Sequence, residues 1–247
     1  MKITEAIFAI VDTETTGLER EKGDELVEVA AFYWRFGTGL FGVALDTLVD
    51  PGRDIPPMAS AVHHITARDI AAAGAPNVPE ALDLLDRYIG KSTVCVAHNA
   101  EFDRAFLPVL DDRTWLCSKR LAQHVCPDAP AFNNQVLRYV FGGINLDLQG
   151  LPPHRALADT IVTAFNLRNI IEQYLLNGGA DDVAAVIALA QSPIVFKRIP
   201  FGKHAGELFS EIPKDYLRWM VRQADMDADM KHTARVHLGE LGLHGAA

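Results

Sequence analysis

The stretch Ile7-Phe8-Ala9-Ile10-Val11-Asp12-Thr13-Glu14-Thr15-Thr16-Gly17-Leu18 joins an apolar, β-branched run to two acids and a glycine turn. The run predicts a buried strand. Side chains two apart on a strand share a face, so Asp12 and Glu14 point the same way at its end. Two carboxylates that close raise at least one pKa unless a cation sits between them. Taken alone, the pair fits a solvated strand end equally well.

Outward from this stretch, residues 26–32 and 40–49 form two more apolar runs, the second ending in Asp50-Pro51-Gly52. Thr16-Gly17 and Lys22-Gly23-Asp24 separate the first two runs as a hairpin would. Residues 79–89 space Ala81, Leu84, Leu85 and Tyr88 as a helix does. Residues 93–97 read as a short buried strand and 99–110 as a helix, with Phe102, Phe106, Val109 and Leu110 on one stripe. A longer helix is predicted after Pro152-Pro153, with Leu157, Ile161, Ala164, Leu167 and Ile171 inward and Asn177-Gly178-Gly179 as its stop. Strands first, then strand and helix in alternation, predict an α/β layer fold that begins as an antiparallel meander. The composition shift after Gly179 divides the chain into residues 1–177 and a small helical region, 178–247.

The 247 residues are 49 % hydrophobic and 22 % charged, an ordinary globular balance. The net charge of −9 excludes a protein that coats DNA by bulk positive charge, but not a local nucleic-acid site or a carboxylate-rich metal site. Three cysteines, Cys95, Cys117 and Cys126, make no disulfide framework, which favours a reducing compartment. The longest apolar run, 183–190, is far shorter than the ~20 residues that span a bilayer. The expectation is a soluble cytoplasmic protein without a membrane partner.

Two further segments carry acids at element ends. In Val96-Ala97-His98-Asn99-Ala100-Glu101-Phe102-Asp103 a strand ends and a helix begins, with Asn99 as a candidate N-cap and Asp103 one turn on. Alone, Asp103 reads as an acid suited to a helix dipole. In His154-Arg155-Ala156-Leu157-Ala158-Asp159, positions five apart on one helix would diverge by about 140°. The prolines delay the helix start, so His154 falls on the preceding loop and both side chains can face one cleft.

Together, Asp12, Glu14, Asp103, His154 and Asp159 follow one order and spacing, and the sequence resembles the DEDDh branch of the DnaQ-like 3′–5′ exonucleases. The resemblance runs from about residue 6 to 175 and implies an RNase H-like mixed sheet flanked by helices, with the small helical C-terminal appendage added. Ala61-Val62-His63-His64-Ile65-Thr66 is similar to the family's His-x-Ile-Thr segment. Phe201-Gly202-Lys203-His204-Ala205-Gly206 and Asp215-Tyr216-Leu217-Arg218-Trp219 resemble the C-terminal region of the bacterial exodeoxyribonuclease X branch.

The resemblance implies a phosphodiester hydrolase that releases nucleoside 5′-monophosphates from a 3′ end. Oxygen donors without sulfur favour Mg²⁺ or Mn²⁺. Two such ions match four carboxylates and clamp the attacking and leaving oxygens of an in-line displacement. By similarity, Asp12, Glu14 and Asp159 hold one metal. Asp12 bridges to a second, which Asp103 supports. His154 is the general base, since an imidazole is partly neutral near neutral pH. Thr15, Thr16, Leu18, His63 and Asn99 are the implied nucleic-acid contacts. Apart from the resemblance, residues 191–204 hold Lys197, Arg198 and Lys203 without an acid, a local +3 that fits a strand-tracking patch as well as a solvated linker. The expected partner is a DNA 3′ end, single-stranded by preference, and the resemblance admits a homodimer. The same five residues serve 3′–5′ exoribonucleases of the oligoribonuclease or RNase T type, so that alternative stays open. An inactive binding module on the same fold would be expected to lack one of the five.

Other residues invite a plainer reading. Glu28, in an apolar strand, reads as an edge or hydrogen-bonded structural residue. His98, His124 and the cysteines show no paired zinc-ligand spacing. Trp34 and Trp115 read as core or partner surface, and Tyr216 and Trp219 as anchors of the C-terminal region's own core.

Overall fold

Strand β1 (Phe8–Thr15) lies at the centre of a five-stranded sheet ordered β3-β2-β1-β4-β5. The computed structural model describes residues 1–90 and 93–242, so residues 243–247 of the predicted C-terminal region lie outside the described residues. β1 pairs antiparallel with β2 (Leu26–Arg35), which pairs antiparallel with β3 (Gly39–Leu48). On its other side β1 runs parallel to β4 (Val94–Ala97), and β4 to β5 (Thr114–Cys117). The predicted meander is thus the antiparallel half of a mixed sheet. Helices α1 (Pro57–His63), α2 (Ala67–Ala73) and α3 (Val78–Tyr88) connect β3 to β4. Helix α4 (Ala100–Phe106) connects β4 to β5, and α5 (Ser118–Val125), α6 (Asn134–Val140) and α7 (Ala156–Leu176) follow.

Alternation along β1 sorts its side chains between two cores. Phe8 and Ile10 pack with Trp34, Val96 and Leu116 against Leu121 of α5 and Leu167 and Ile170 of α7. Ala9 and Val11 face the other way, toward Ala81 and Leu85 of α3 and Phe106 of α4. Helix α4 ends sooner than its apolar stripe predicts. Pro108 has no N–H to donate and disfavours helical geometry at Leu107, so 108–110 form a separate 3₁₀ turn.

Beyond α7, helix α8 (Val183–Gln191) sets Val183, Val186 and Ala190 into the same core as Phe8 and Ile10. A separate apolar cluster joins Ile199, Phe209 and Ile212 to α9 (Lys214–Arg222) and α10 (Ala228–Leu238). Its anchors are Leu217, Met220 and Met230. Trp219, expected in that core, is 46 % exposed. At 100° per residue it stands about 200° around the helix from Leu217, off the buried face. Trp34 and Trp115 are both buried, and the three cysteines are free. Among the described residues no helix is long and apolar enough to cross a membrane.

Candidate active site

A cleft of about 570 Å³ opens at the end of β1 where α4, α7 and the loop before α7 meet. Asp12, Glu14, Asp103, His154 and Asp159 all line it. Strand alternation continues from Phe8 and Ile10 to Asp12 and Glu14, so both acids share the face on which α7 packs. Asp159 lies in the first turn of α7 and Asp103 in that of α4. The ligand atoms of Glu14, His154 and Asp159 lie within 4.8 Å of one another.

Neighbouring groups fix several of these side chains. The Thr13 hydroxyl donates to Asp103 Oδ1 at 2.9 Å. Gln135 Nε2 donates to Asp159 Oδ1 at 3.0 Å, and the His154 backbone N–H to Asp159 Oδ2 at 3.2 Å. His154 adopts a left-handed backbone, φ 62°, in the loop, and its Nδ1 lies 4.0 Å from Asp159 Oδ2. The predicted break between His154 and the helix is therefore present.

Glu28 sits on β2 directly opposite Glu14, on a central strand and not at an edge. Two like charges in register would repel. Glu28 is instead tied to the Arg155 guanidinium, with Nε at 3.0 Å from Oε1 and Nη2 at 2.5 Å. Its Oε2 accepts the Ala156 N–H at 2.7 Å. Ala156 is the first residue of α7, and Arg155 supplies no side-chain cap. A carboxylate from the sheet thus caps the helix that carries Asp159. Hydrogen bonding was the right reading of Glu28, but its partner was not visible. Gln135 and Thr13 were also missed. Gln135 has no sequence signal, while Thr13 stood inside the Asp-Thr-Glu segment.

The predicted nucleic-acid contacts divide into two groups. Thr15, Thr16, Leu18, His63 and Asn99 line the cleft, and Lys203 is not among its lining residues. The Lys203 ammonium lies 5.2 Å over the Tyr216 ring. Leu18 is 80 % exposed at the rim. The Thr15 hydroxyl donates to Gly17 O, and the Thr16 hydroxyl accepts the Glu25 N–H, so both close the turn. A Cβ on Gly17 would stand 2.3 Å from the Asp24 carboxylate, so a larger residue there would push that side chain aside. His63 is buried, and its Nδ1 accepts the Ile65 N–H at 3.0 Å while Nε2 has no partner. Burial lowers its pKa. Asn99 occupies the N-cap position of α4 at φ 124° but makes no side-chain cap bond. That backbone differs from the extended geometry in which a cap side chain reaches back to the helix.

Electrostatics set the cluster apart. Burial, reinforced by Asp103, Asp159 and Glu14, holds Asp12 well above the usual carboxylate range. Burial pushes Glu14 up to about 8, with Asp159 and Glu28 adding to it. Asp103 rises to about 7 through burial, against the opposing hydrogen bond from Thr13. Burial also raises Asp159, opposed by His154 and Gln135. Without a counter-charge Glu14 and Asp103 retain protons near neutral pH. The Glu14 and Asp159 oxygens, within 4.8 Å of each other and of a His154 ring nitrogen, fit a hard divalent cation, which would displace those protons.

Comparison with known proteins points to one family of nucleases. The exonuclease family model of the RNase T type matches residues 9–165, and a second model, named for a quorum-sensing-regulated virulence factor, matches 190–226. Exodeoxyribonuclease 10 of Escherichia coli (strain K12) is 31 % identical over 237 residues, spanning 94 % of this chain and 99 % of that protein. A DNA polymerase III subunit epsilon-like protein of Rhodobacter capsulatus is 35 % identical over 170 residues, or 64 % of this chain and 22 % of that one. Among solved structures, exonuclease X in complex with 5′ overhanging duplex DNA superposes with a TM-score of 0.57 at 31 % identity, covering 74 % of this chain and 99 % of that one. E. coli exonuclease I in complex with a dA16 oligonucleotide shares the fold at 16 % identity and a TM-score of 0.57, over 90 % of this chain and 60 % of that one.

Proposed function

This chain belongs to the RNase T-type, DnaQ-like family of 3′–5′ exonucleases, with the RNase H-like fold, and from that premise we propose that it is a metal-dependent exodeoxyribonuclease. The observation that carries the proposal is the set of four carboxylates converging on one cleft with burial-raised pKa values. Such a cluster is stable in its charged form only with cations in place. Asp12, Glu14, Asp103 and Asp159 would hold Mg²⁺ or Mn²⁺, two ions by charge balance. When bound, these ions neutralise the scissile phosphate and favour deprotonation of the attacking water.

His154 takes the proton of that water. Its ring is exposed at the cleft mouth, with Nδ1 4.0 Å from Asp159 Oδ2. Leu18 offers an exposed apolar surface to the terminal base. The unpartnered Nε2 of His63 is the donor on the cleft floor, because Nδ1 is already an acceptor. Asn99 lines the same wall, and Thr15 and Thr16 shape it through the turn that they close. Lys203 would serve only a more distant phosphate. Support for DNA as substrate is the likeness to exodeoxyribonuclease 10 across nearly the whole chain. Single-stranded 3′ ends fit best, because the strand must enter the cleft unpaired.

The test is digestion of matched single-stranded DNA and RNA oligonucleotides labelled at the 5′ end, with Mg²⁺ and with chelator. A DNA ladder shortening from the 3′ end only with Mg²⁺ is expected. Preferential shortening of RNA would move the substrate to the exoribonuclease alternative. Shortening in chelator would overturn the metal requirement.

A further inference from the structure

The carboxylate cleft does not end at its own walls. His98, Asn99 and Asn134 line it and also line an adjoining groove of about 1000 Å³. One wall of that groove is the 127–134 loop, and the other is the 196–206 segment leading into the C-terminal cluster. Three cations, Lys119, Lys197 and Arg198, line it against one carboxylate, Asp128. The Lys119 ammonium has no ion-pair or hydrogen-bond partner among the described residues. Lys197 meets Asp128 as an exposed pair, which is weak and readily exchanged. Arg198 donates one hydrogen bond, from Nη1 to Gly206 O at 2.8 Å. Pro130, Phe132 and Phe196 give the groove an apolar side.

Both walls are fixed in place. His98 bridges Ser118 Oγ at 2.9 Å and Phe132 O at 2.8 Å, and burial lowers its pKa to about 4. A neutral ring therefore ties the loop to the ends of β4 and β5. Arg120 of α5 clamps the opposite side. Its guanidinium donates to Ala190 O at 2.7 Å, Ser192 O at 2.8 Å and Asp229 Oδ2 at 2.6 Å. Asp229 Oδ1 in turn accepts the Ile194 N–H at 2.9 Å.

We propose that this groove is the track by which single-stranded nucleic acid reaches the cleft, with the C-terminal region as its second wall. The inference rests on the exonuclease reading: a 3′ end seated among the carboxylates leaves the 5′ part of the strand to be held elsewhere. A chain of net charge −9 must hold phosphates by local cations, and this groove is contiguous with the cleft and carries them. The phosphates lie against Lys119, Lys197 and Arg198, and the bases against the apolar side.

The test measures binding of labelled dT20 and dT3 to the full chain, with Ca²⁺ replacing Mg²⁺, across a salt series. In the Lys119→Ala/Lys197→Ala/Arg198→Ala variant, dT20 affinity should fall by about ten-fold or more and the salt slope by about 2. The affinity for dT3 should change by less than about two-fold, since few phosphates reach the groove. An Arg120→Ala/Asp229→Ala variant, which frees the second wall, should also weaken dT20. An unchanged salt slope and an unchanged dT20 to dT3 ratio in the triple variant would overturn the track. Hydrolysis of p-nitrophenyl thymidine 5′-phosphate by the wild-type chain with Mn²⁺ is a separate arm. Its absence would overturn the exonuclease reading, while the salt slope still decides the groove.

Discussion

Asp12, Glu14, Asp103 and Asp159 are acids held where acids resist ionising, and that tension makes them useful and measurable. A carboxylate whose folded pKa lies above its unfolded value favours the fold below the unfolded pKa and penalises it above. The penalty therefore grows from about pH 4, the unfolded range, and Glu14's share of it is complete only above about 8. In chelator at pH 8, Asp12→Asn should raise the thermal midpoint above wild type, because it removes an acid that the folded site resists ionising. The same variant should lose most of the Mg²⁺-induced stabilisation, and differential scanning calorimetry reads both. A lower midpoint in chelator would show that the acids are not in repulsion. His154→Ala should reduce turnover by about 10² to 10⁴ while oligonucleotide binding persists. An unaltered pH–rate profile in that variant would remove His154 from the reaction. All five residues were named from the sequence through their resemblance in order and spacing to the DEDDh pattern, since each segment alone reads as well as a strand end or a capping acid. Gln135 was not, because it reaches Asp159 through space and from a loop-led helix with no pattern of its own.

At the scale of elements, the site depends on how α7 begins. Its first turn carries Asp159, its preceding loop carries His154, and its N-terminal N–H is capped from β2 by Glu28. Removing Glu28 would strip both the cap and the partner of Arg155. Glu28→Ala should therefore destabilise the protein by about 3 kcal/mol, measured by urea unfolding. A change below about 0.5 kcal/mol would place that pair with ordinary surface substitutions. Arg155 lies inside the His-Arg-Ala-Leu-Ala-Asp segment, so half of this pair was in plain view. The other half was hidden by 127 residues of separation. Trp219 shows the reverse failure: an aromatic in a short amphipathic helix invites a core assignment, but the buried face runs through Leu217 and Met220. Hydrophobicity without phase does not place a side chain.

For the whole molecule, strands β1 to β4 and helices α3, α4 and α7 were readable from patterning, while β5 and the short helices α1, α2, α5 and α6 were not, nor was the closing of the C-terminal region onto the core. Nothing in the spacing of Arg120 and Asp229 announces that they meet across 109 residues. That clamp predicts a local effect. Arg120→Ala should speed amide hydrogen exchange through residues 194–238 while leaving β1 and β4 as protected as in wild type. Uniform protection in both regions would mean that the apolar cluster alone holds the C-terminal region in place.

The central claim is that the carboxylate cleft removes nucleotides from a 3′ end and does so with divalent cations. Its most direct test is single-turnover digestion of a 5′-labelled DNA strand with Mg²⁺ by wild type and by Asp12→Ala, each checked for native circular dichroism. The account predicts a ladder descending from the 3′ end for wild type and intact strand for the variant. A folded Asp12→Ala protein that shortens the strand at the wild-type rate would contradict it.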